Sequence, residues 1–222
     1  MKNINGYFLP AEETQYEQYF KNFQNYQEAQ RNRALSYVKK FGIAVDIGAN
    51  LGLWAKELSN FFSKTICFEP NKNCLEYLKK NVQIEKTIIH NCALGKKKEH
   101  KKLFCPINSG NSSFINKTKV GTNEDRKKII GNFPTNTETQ TVEVKTLDSF
   151  DLKNINFIKI DVQGYEFEVL AGGEKTFLNN RCVVCIETES SDYFRINNVL
   201  NSWGYTMVDK ILKEAVFVNI KS

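Results

Sequence analysis

The chain has 222 residues, of which 41% are hydrophobic and 12% aromatic, so it can bury a sizeable core. This composition excludes an intrinsically disordered chain, and the absence of roughly 18 consecutive apolar residues excludes a membrane-spanning helix. Because the first residues also lack the apolar centre of a signal peptide, we expect a cytoplasmic protein that folds as one domain over residues 1–222.

The net charge of +6 comes from 31 basic and 25 acidic residues, and part of it lies in the run KKKEHKK at residues 96–102. A short run of this kind is typical of a solvated turn, and the alternative is a patch that attracts anionic substrates. No aromatic residues alternate with the lysines, which disfavours a surface for stacking nucleic-acid bases. A nucleic-acid partner is therefore not expected.

Residues 1–40 predict a helical lead segment, because apolar residues recur every three or four positions through one long helix that starts at Tyr16. Strands and helices then alternate, which is typical of a βαβαβ unit with a parallel sheet and right-handed crossovers. The predicted strands are IAVDIG, KTICFE and KTIIHNCAL, and the predicted helices between them are LGLWAKELSNFF and NKNCLEYLKKNV.

Residues 96–140 interrupt this order and predict a loop insertion rich in Gly, Asn, Ser and Thr, with a short hairpin at KKLFCPI. Regular structure is predicted to return after the insertion and to end in a hairpin. In chain order the predicted elements are the strands VEVKTL and INFIKID, the helix YEFEVLAGGEKTFLNN, the strand VVCIETE, the helix YFRINNVLNSWG and the hairpin YTMVDKILKEAVFVNI.

The six cysteines are scattered and predict reduced thiols rather than a disulfide framework. Cys182 and Cys185 form a C-x-x-C pair, but they lie in a predicted strand. Because an odd offset directs side chains to opposite faces of a strand, we interpret the pair as buried and not as a metal clip.

The turn in VDIGANLGLW, between a predicted strand and a predicted helix, is a candidate ligand site. It contains Asp46, Gly48, Ala49, Asn50 and Gly52, a composition that can present unpaired backbone N–H groups and a helix N-terminus. The spacing G-x-x-x-G differs from the G-x-G-x-x-G that binds a pyrophosphate. The Asp46 carboxylate would repel a pyrophosphate and suits a cation such as the ammonium of an amino acid.

Glu69 ends the second predicted strand, 21 residues after Gly48, close to the spacing at which an acidic side chain binds ribose hydroxyls. A nucleoside with free hydroxyls, a charged amino-acid end and no phosphates describes S-adenosylmethionine. The alternatives are an ordinary strand-to-helix turn for Gly48 and Gly52 and an exposed strand-end acid for Glu69.

Acidic residues at two later strand ends are candidates for the chemistry. Asp161 follows INFIKID with Lys159 on the same face, and Glu187 and Glu189 end VVCIETE on one shared face. We interpret Asp161 as the base that takes a proton from an acceptor hydroxyl, or as a group that positions the acceptor, and also as a candidate cofactor-binding residue. The alternatives are that Asp161 caps the next helix or pairs with Lys159, or that Asp161 and Glu187 bind Mg²⁺.

The remaining titratable and aromatic candidates favour structural roles. His90 lies in an apolar strand and is predicted to be a core residue, and His100 lies among lysines and is predicted to be solvated. Trp54 and Tyr165 stand at the start of helices, where an aromatic side chain more often belongs to the core than stacks on a ligand. No histidine is therefore assigned to catalysis.

The sequence resembles the FkbM-type methyltransferase family from about Val45 to Glu189. The family often has Glu at the position of Gln163, so no acid-base role is assigned to Gln163. The resemblance rests on the ordered blocks VDIGANLGLW, CFEPN, NCALG, SGNSSF, VEVKTLDSF, FIKIDVQGYEFEVLAGG and VVCIETE.

This resemblance implies a class I, Rossmann-like α/β fold: a seven-stranded, mostly parallel sheet with helices on both faces and the last strand inserted antiparallel. It implies that the adenine ring of S-adenosylmethionine lies near Asn91, Cys92 and Ala93, and it places Pro70 beside the cofactor. Ser112 and Ser113 are interpreted as donors that fold over the ligand, with a flexible polar loop as the alternative.

The resemblance further implies methyl transfer from S-adenosylmethionine to a hydroxyl of a sugar or another natural product. A nucleic-acid methyltransferase and a non-catalytic protein that binds S-adenosylmethionine remain alternatives. The predicted partners are a glycan or small-molecule acceptor, and a homodimer is left open.

Overall fold

A computed structural model describes residues 1–106, 112–114, 137–188 and 193–219. Its centre is a seven-stranded sheet with the strand order β11-β12-β10-β9-β3-β4-β5. These strands are β3 (Ile43–Ile47), β4 (Lys64–Phe68), β5 (Thr87–His90), β9 (Ile155–Ile160), β10 (Val183–Glu187), β11 (Tyr205–Ile211) and β12 (Glu214–Asn219).

The first five of these strands in chain order, β3, β4, β5, β9 and β10, run parallel, as the alternating sequence pattern predicts. The strand β12 pairs antiparallel with both β10 and β11, so the last strand of the chain is inserted in reverse between them. The predicted seven-stranded topology and the predicted closing hairpin are therefore confirmed.

Helices cover both faces of this sheet. The first two precede β3, and the others lie between later strands. In chain order, the helices are α1 (Gln15–Asn22), α2 (Glu28–Leu35), α3 (Leu53–Phe61), α4 (Leu75–Asn81), α5 (Glu166–Ala171), α6 (Glu174–Asn180) and α7 (Tyr193–Ser202). Among the described residues, none of these helices has the length and apolar character needed to cross a lipid bilayer.

Alternate residues of the central strands supply the two halves of the core. Val184 and Ile186 of β10 pack with α5, α6 and α7, and Val183 and Cys185 of the same strand pack with α2 and α3. Cys182 lies on the face opposite to Cys185, and all six thiols are free and buried. The interpretation of the C-x-x-C pair as buried, with its side chains on opposite faces, is confirmed.

The N-terminal segment differs from the single long helix that the sequence predicts. It forms a two-stranded hairpin of β1 (Lys2–Ile4) and β2 (Tyr7–Leu9) and then the separate helices α1 and α2. The break falls at Gln27, which has a left-handed φ of 46° and whose backbone N–H donates to the Tyr19 hydroxyl at 2.8 Å. Helical periodicity continues through the break, so it carries no local signal.

The segment 96–140 also differs from its prediction as a loop insertion. Its described residues include most of a three-stranded sheet in the order β6-β8-β7, made of β6 (Ala93–Leu94), β7 (Glu99–Pro106) and β8 (Thr137–Lys145). The predicted single strand KTIIHNCAL is divided between β5 and β6, which belong to different sheets. The predicted strand VEVKTL lies in this second sheet and not in the central one.

The helix predicted through YEFEVLAGGEKTFLNN is two helices, α5 and α6, separated at Gly172 and Gly173. A Cβ on Gly172 would lie 2.0 Å from the carbonyl oxygen of Gly95, so only glycine allows this close backbone approach. His100 is exposed, as predicted, and half-buried His90 stacks on Phe68 with 5.0 Å between ring centroids.

Candidate active site

One cavity of about 300 Å³ opens at the carboxyl ends of the parallel strands, where open α/β sheets bind ligands. Four carboxylates lie along it, one from each of four adjacent strands. In sheet order they are Glu69 after β4, Asp46 in β3, Asp161 after β9 and Glu187 at the end of β10. The cavity therefore has a β4 end and a β10 end with different chemical surroundings.

The turn between β3 and α3 does not present the unpaired backbone N–H groups that the sequence suggests. The N–H groups of Gly48 and Ala49 both donate to the carbonyl oxygen of Phe68, at 2.9 and 3.1 Å. The Asn50 N–H donates to the Glu69 carboxylate at 2.6 Å. The expectation that this turn presents unpaired backbone N–H groups is wrong for Gly48, Ala49 and Asn50, and side-chain carboxylates face the cavity instead.

The two glycines of this turn are required by packing within the protein. A Cβ on Gly48 would lie 1.9 Å from the carbonyl oxygen of Asp161, and a Cβ on Gly52 would lie 2.7 Å from Leu78 Cδ1. Both residues also have left-handed φ values, of 84° and 85°. Gly48 lines the cavity, whereas Gly52 is not among its lining residues. Gly52 lies at the N-terminus of α3, where it packs against Leu78 of α4.

Glu69 is buried and is not the exposed strand-end acid considered as its alternative. Its two carboxylate oxygens accept the backbone N–H groups of Asn50 and Asn71, at 2.6 and 2.7 Å. Burial raises its pKa to about 7 against the lowering effect of these hydrogen bonds. Because each carboxylate oxygen has a second lone pair, Glu69 can still accept hydroxyl groups from a ligand in the cavity.

Asp46 is only 2% exposed, and its Oδ2 atom has no hydrogen-bond partner among the described residues. Burial raises its pKa to about 7, with an opposing contribution from Lys159 and a further rise from Asp161. A buried carboxylate with an unpaired oxygen is costly unless a cation or a donor approaches it. This is the strongest indication in the cavity of a positively charged ligand group.

Most of the other predicted cofactor residues line the cavity, whereas Asn91 lies behind the wall and bonds to its backbone. Pro70, Cys92, Ala93, Ser112 and Ser113 line the cavity. Asn91 is exposed and outside the lining; its side-chain amide donates to the carbonyl oxygens of Glu69 and Pro70 at 2.8 and 3.1 Å. Asn91 therefore acts by holding the Glu69 backbone in place.

Lys159 is the central charge beneath the β10 end of the cavity. Its ammonium lies 3.1 Å from Glu214 Oε2 and 3.5 Å from Asp161 Oδ2, and it is 5.2 Å from the ring centroid of Trp54. Burial would lower the pKa of Lys159, but the charges of Glu214 and Asp161 raise it well above its usual value. Lys159 is thus a fully charged, buried counterion.

Asp161 and Glu187 share one bridging donor, the side-chain amide of Gln163. Gln163 Nε2 lies 2.8 Å from Asp161 Oδ1 and 2.9 Å from Glu187 Oε2. Burial acts to raise the pKa of Asp161, but Lys159 and these hydrogen bonds lower it below its usual value. Burial and then the charge of Asp161 raise the pKa of Glu187 to about 9. The two opposite shifts indicate that Asp161 ionises more readily than Glu187.

The Asp161 carboxylate does not cap α5. Tyr165 is the residue at the N-terminus of this helix, and Glu166 accepts the backbone N–H groups of Val162 and Gly164 at 3.0 and 3.1 Å. Pairing with Lys159, the other alternative considered for Asp161, is present in the structure. Carboxylate oxygens of Asp161, Glu166 and Glu187 lie within 4.8 Å of one another, and Glu189 falls outside the described residues.

Several residues at the cavity were not found by sequence reasoning. The N-terminal segment contributes Gln15, Tyr16, Tyr26 and Gln27 to the wall, and Trp54 Nε1 donates to Gln27 Oε1 at 2.6 Å. Trp54 is both a core residue and part of the lining, and half-buried Tyr165 also lines the cavity. The N-terminal residues carry no recognisable motif, so their position depends on tertiary packing.

Lys101 and Glu214 are further residues that sequence reasoning missed. Lys101, in the basic run, donates to the Tyr165 hydroxyl at 2.8 Å. Glu214 is buried and forms the ion pair with Lys159. A lysine in a predicted central strand is expected to be buried and therefore to need a counterion. This expectation is the one sequence signal for an acidic partner such as Glu214.

Residues 46–207 match the Methyltransferase FkbM domain. The chain is 28% identical over 178 residues to Methyltransferase 1 of Beauveria bassiana (strain ARSEF 2860), an alignment that covers 73% of this chain and 72% of that protein. The FkbM match includes all four carboxylates of the cavity, from Asp46 to Glu187.

Two solved structures share the fold at low sequence identity. A methyltransferase FkbM from Methylobacillus flagellatus KT superposes with a TM-score of 0.51 at 15% identity, over 81% of this chain and 44% of that one, so this chain spans less than half of its length. A precorrin 8w decarboxylase from Methanobacterium thermoautotrophicum superposes with a TM-score of 0.52 at 8% identity, over 99% and 100% of the two chains. The predicted class I methyltransferase fold is confirmed, and the chain belongs to the FkbM methyltransferase family.

Proposed function

We propose that this protein transfers a methyl group from S-adenosylmethionine to a hydroxyl of a sugar or another small natural product. The observation that carries the proposal is the order of carboxylates along one cavity. Glu69 and Asp46 lie at the β4 end, and Asp161 and Glu187 lie at the β10 end. One end suits a nucleoside with a cationic amino-acid part, and the other suits a group that must lose a proton.

The β4 end fits S-adenosylmethionine by its donor and acceptor chemistry. The Oδ2 atom of Asp46 has no hydrogen-bond partner among the described residues, and the ligand would bring an ammonium and a sulfonium. Glu69 has lone pairs available for ribose hydroxyls, and Ala93 and Cys92 provide an apolar wall for the adenine ring. A dinucleotide is disfavoured because the N–H groups of Gly48 and Ala49 are already paired within the protein.

The β10 end fits an acceptor that is rich in hydroxyl groups. Amide side chains line this region together with aromatic rings, a combination that binds the polar edges and apolar faces of sugars. The residues concerned are Gln163, Gln27, which bonds to Trp54 beside Lys159, and Tyr26. The acceptor's own chemistry is a proposal that rests on this lining and on the resemblance to the family.

When bound, S-adenosylmethionine supplies an activated methyl group, so the protein's task is alignment and removal of one proton. Asp161 is ionised because Lys159 lowers its pKa, and it accepts the proton from the acceptor hydroxyl as the oxygen–carbon bond forms. Lys159 is buried and remains charged, so it stabilises the Asp161 carboxylate and is not itself the base. Positioning can contribute roughly 7 to 11 kcal/mol to such a reaction.

The test is mass spectrometry of a panel of monosaccharides, oligosaccharides and hydroxylated natural products incubated with the protein and methyl-labelled S-adenosylmethionine. The proposal expects a labelled product heavier by one methylene, with the label on oxygen. Salt-sensitive labelling of DNA or RNA instead would favour a nucleic-acid methyltransferase. Binding of S-adenosylmethionine with no labelled product across the panel would favour a non-catalytic protein.

A further inference from the structure

We infer that the side-chain amide of Gln163 occupies the position between Asp161 and Glu187 that a divalent cation would otherwise take. The two carboxyl groups then work as a pair bridged by a hydrogen-bond donor, and Gln163 is the positioning residue of that pair. The inference deepens the proposed function, because it concerns the same carboxyl groups that would receive the acceptor's proton. Its geometry, however, is independent of which acceptor is methylated.

The atom that faces the two carboxyl groups is the amide nitrogen of Gln163. Gln163 Nε2 lies 2.8 Å from one oxygen of Asp161 and 2.9 Å from one oxygen of Glu187. The amide nitrogen has two hydrogens, so it can donate one to each carboxyl group. An amide oxygen in this place would face a carboxylate oxygen of Asp161 at hydrogen-bond distance, so the nitrogen is the physically favoured assignment.

The surrounding fold holds Gln163 in place. Its backbone is left-handed, with a φ of 56°, a conformation that costs energy for a residue with a side chain. The hydroxyl of Ser113 donates to the carbonyl oxygen of Gln163 at 2.9 Å. Ser113 is itself buried and paired through its backbone with Phe104 of the second sheet, with both N–H to O distances at 3.0 Å. The second sheet therefore fixes the turn that aims the amide.

The carboxyl groups of Asp161, Glu166 and Glu187 form a cluster whose negative charge is already partly compensated by neighbouring groups. Asp161, Glu166 and Glu187 bring carboxylate oxygens within 4.8 Å of one another, an arrangement that resembles a ligand set for an oxygen-preferring cation. The oxygens of Glu166, however, accept the backbone N–H groups of its own turn, including that of Gly164 at 3.1 Å. The remaining two carboxyl groups already face the Gln163 amide, and Lys159 supplies a positive charge to Asp161 at 3.5 Å.

The consequence is that one side chain decides between a hydrogen-bonded pair and a cation site. The Gln163 amide is uncharged and does not offset the negative charge of Asp161 and Glu187. The two carboxyl groups are therefore stable side by side only if one of them keeps a proton or if a cation such as Lys159 lies beside them. A carboxylate at position 163 would add a third oxygen ligand at the same point and remove the donor. The geometry therefore predicts that the substitution Gln163→Glu creates affinity for a divalent cation.

The experiment titrates Mn²⁺ into the full chain and follows free Mn²⁺ by electron paramagnetic resonance. Five proteins are compared: the wild type, Asp161→Asn, Gln163→Glu, the double variant Gln163→Glu/Asp161→Asn, and Gln83→Glu. Gln83 bonds to Asn60 at an exposed site, so Gln83→Glu is a matched control for the added negative charge. Thermal unfolding confirms that each protein is folded before titration.

We expect no saturable binding to the wild type or to Gln83→Glu up to about 1 mM, the weak end of functional calcium sites. Gln163→Glu should bind one Mn²⁺ roughly tenfold or more tightly than that limit, and Asp161→Asn should remove this binding. Saturable binding to the wild type that Asp161→Asn abolishes would overturn the inference, as would a folded Gln163→Glu protein that binds no Mn²⁺. Neither outcome depends on methyl transfer, so the Mn²⁺ titration tests the inference even if no acceptor is found.

Discussion

The two ends of the cavity are built from the same kind of side chain but are stabilised differently. At the β4 end, Glu69 and Asp46 lie within 24 residues of each other in the chain, and backbone N–H groups of the adjoining turns hold Glu69. At the β10 end, Asp161 and Glu187 depend on Lys159 and on a glutamine amide. Backbone N–H groups hold the first arrangement, whereas charged and amide side chains hold the second.

Under the proposed function, this difference separates the residues that bind the cofactor from those that take part in proton transfer. Carboxylates with raised pKa values near 7, such as Asp46 and Glu69, gain most from a ligand that brings positive charge or hydroxyl donors. A carboxylate kept ionised by a buried lysine, such as Asp161, is prepared to accept a proton without a bound cation. Substitutions at the two ends should therefore change different measured quantities.

The largest effect is expected for Asp161→Asn, which removes the proposed proton acceptor at the β10 end. The rate constant kcat should fall by roughly 10² to 10⁴, while the affinity for S-adenosylmethionine stays close to that of the wild type. Initial rates with an identified acceptor and calorimetric binding measure the two quantities. Asp151→Asn is the matched control, because Asp151 is exposed and pairs only with Lys153 among the described residues.

Near-normal turnover of Asp161→Asn would contradict the assignment and turn attention to Glu187. Loss of activity with a chelator, restored by Mg²⁺, would instead indicate a metal role for the pair. The same result would count against the amide bridge of Gln163.

The next effect concerns stability at the β10 end. Lys159→Met leaves half-buried Asp161 and buried Glu214 without their shared cation, and it should lower the free energy of unfolding by about 3 to 5 kcal/mol. Urea denaturation measures this change. Adding Glu214→Leu should restore part of the loss, because one unpaired buried charge is then removed. A Lys159→Met protein as stable as the wild type would show that Lys159 is not the required counterion.

A smaller effect is expected for Glu69→Ala at the β4 end. Removing a buried acceptor from two ribose hydroxyls should weaken S-adenosylmethionine binding roughly tenfold to a hundredfold, with little change in kcat at saturating cofactor. Isothermal titration calorimetry measures the affinity. Glu76→Ala is the control, because Glu76 is an exposed helix residue that pairs with Lys80. Equal affinities of Glu69→Ala and wild type would remove Glu69 from the cofactor site.

The smallest effect is a pH dependence set by Asp46. Its folded pKa of about 7 lies above its usual value, so its contribution to the stability of the unliganded protein is present below pH about 4 and is lost as the pH rises through 7. Binding of a cation follows the opposite course, because it requires the ionised carboxylate. The affinity for S-adenosylmethionine should rise by about tenfold between pH 6 and 8.

Calorimetry across this pH range tests the prediction, with Asp46→Asn as the comparison. Glu69 titrates in the same range, so Asp46→Asn should flatten the rise without removing all of it. A wild-type affinity that falls as the pH rises would contradict a cationic ligand group at Asp46.

The sequence by itself determined the alternation of strands and helices in the central sheet, the closing hairpin and the family. Each depends on short-range patterns: the alternation of strands and helices, and the ordered blocks such as VDIGANLGLW and VVCIETE. Strand-end acids were also found in this way, because the carboxyl ends of parallel strands meet at one edge of a sheet. Asp46, Glu69, Asp161 and Glu187 all line one cavity for that reason.

Tertiary structure alone decided what each of these acids can do. The pairing of the Gly48 and Ala49 N–H groups with Phe68, and the clash that a Cβ on Gly48 would make with Asp161, join segments that are far apart in the chain. The division of residues 16–41 into two helices and the placement of Gln27 over the cavity depend on aromatic packing, which helical periodicity does not record.

The ionisation of Asp161 likewise depends on Lys159, Glu214 and Gln163 together. A pKa responds to burial and to charges within a few ångströms, and those distances exist only after the sheet has formed.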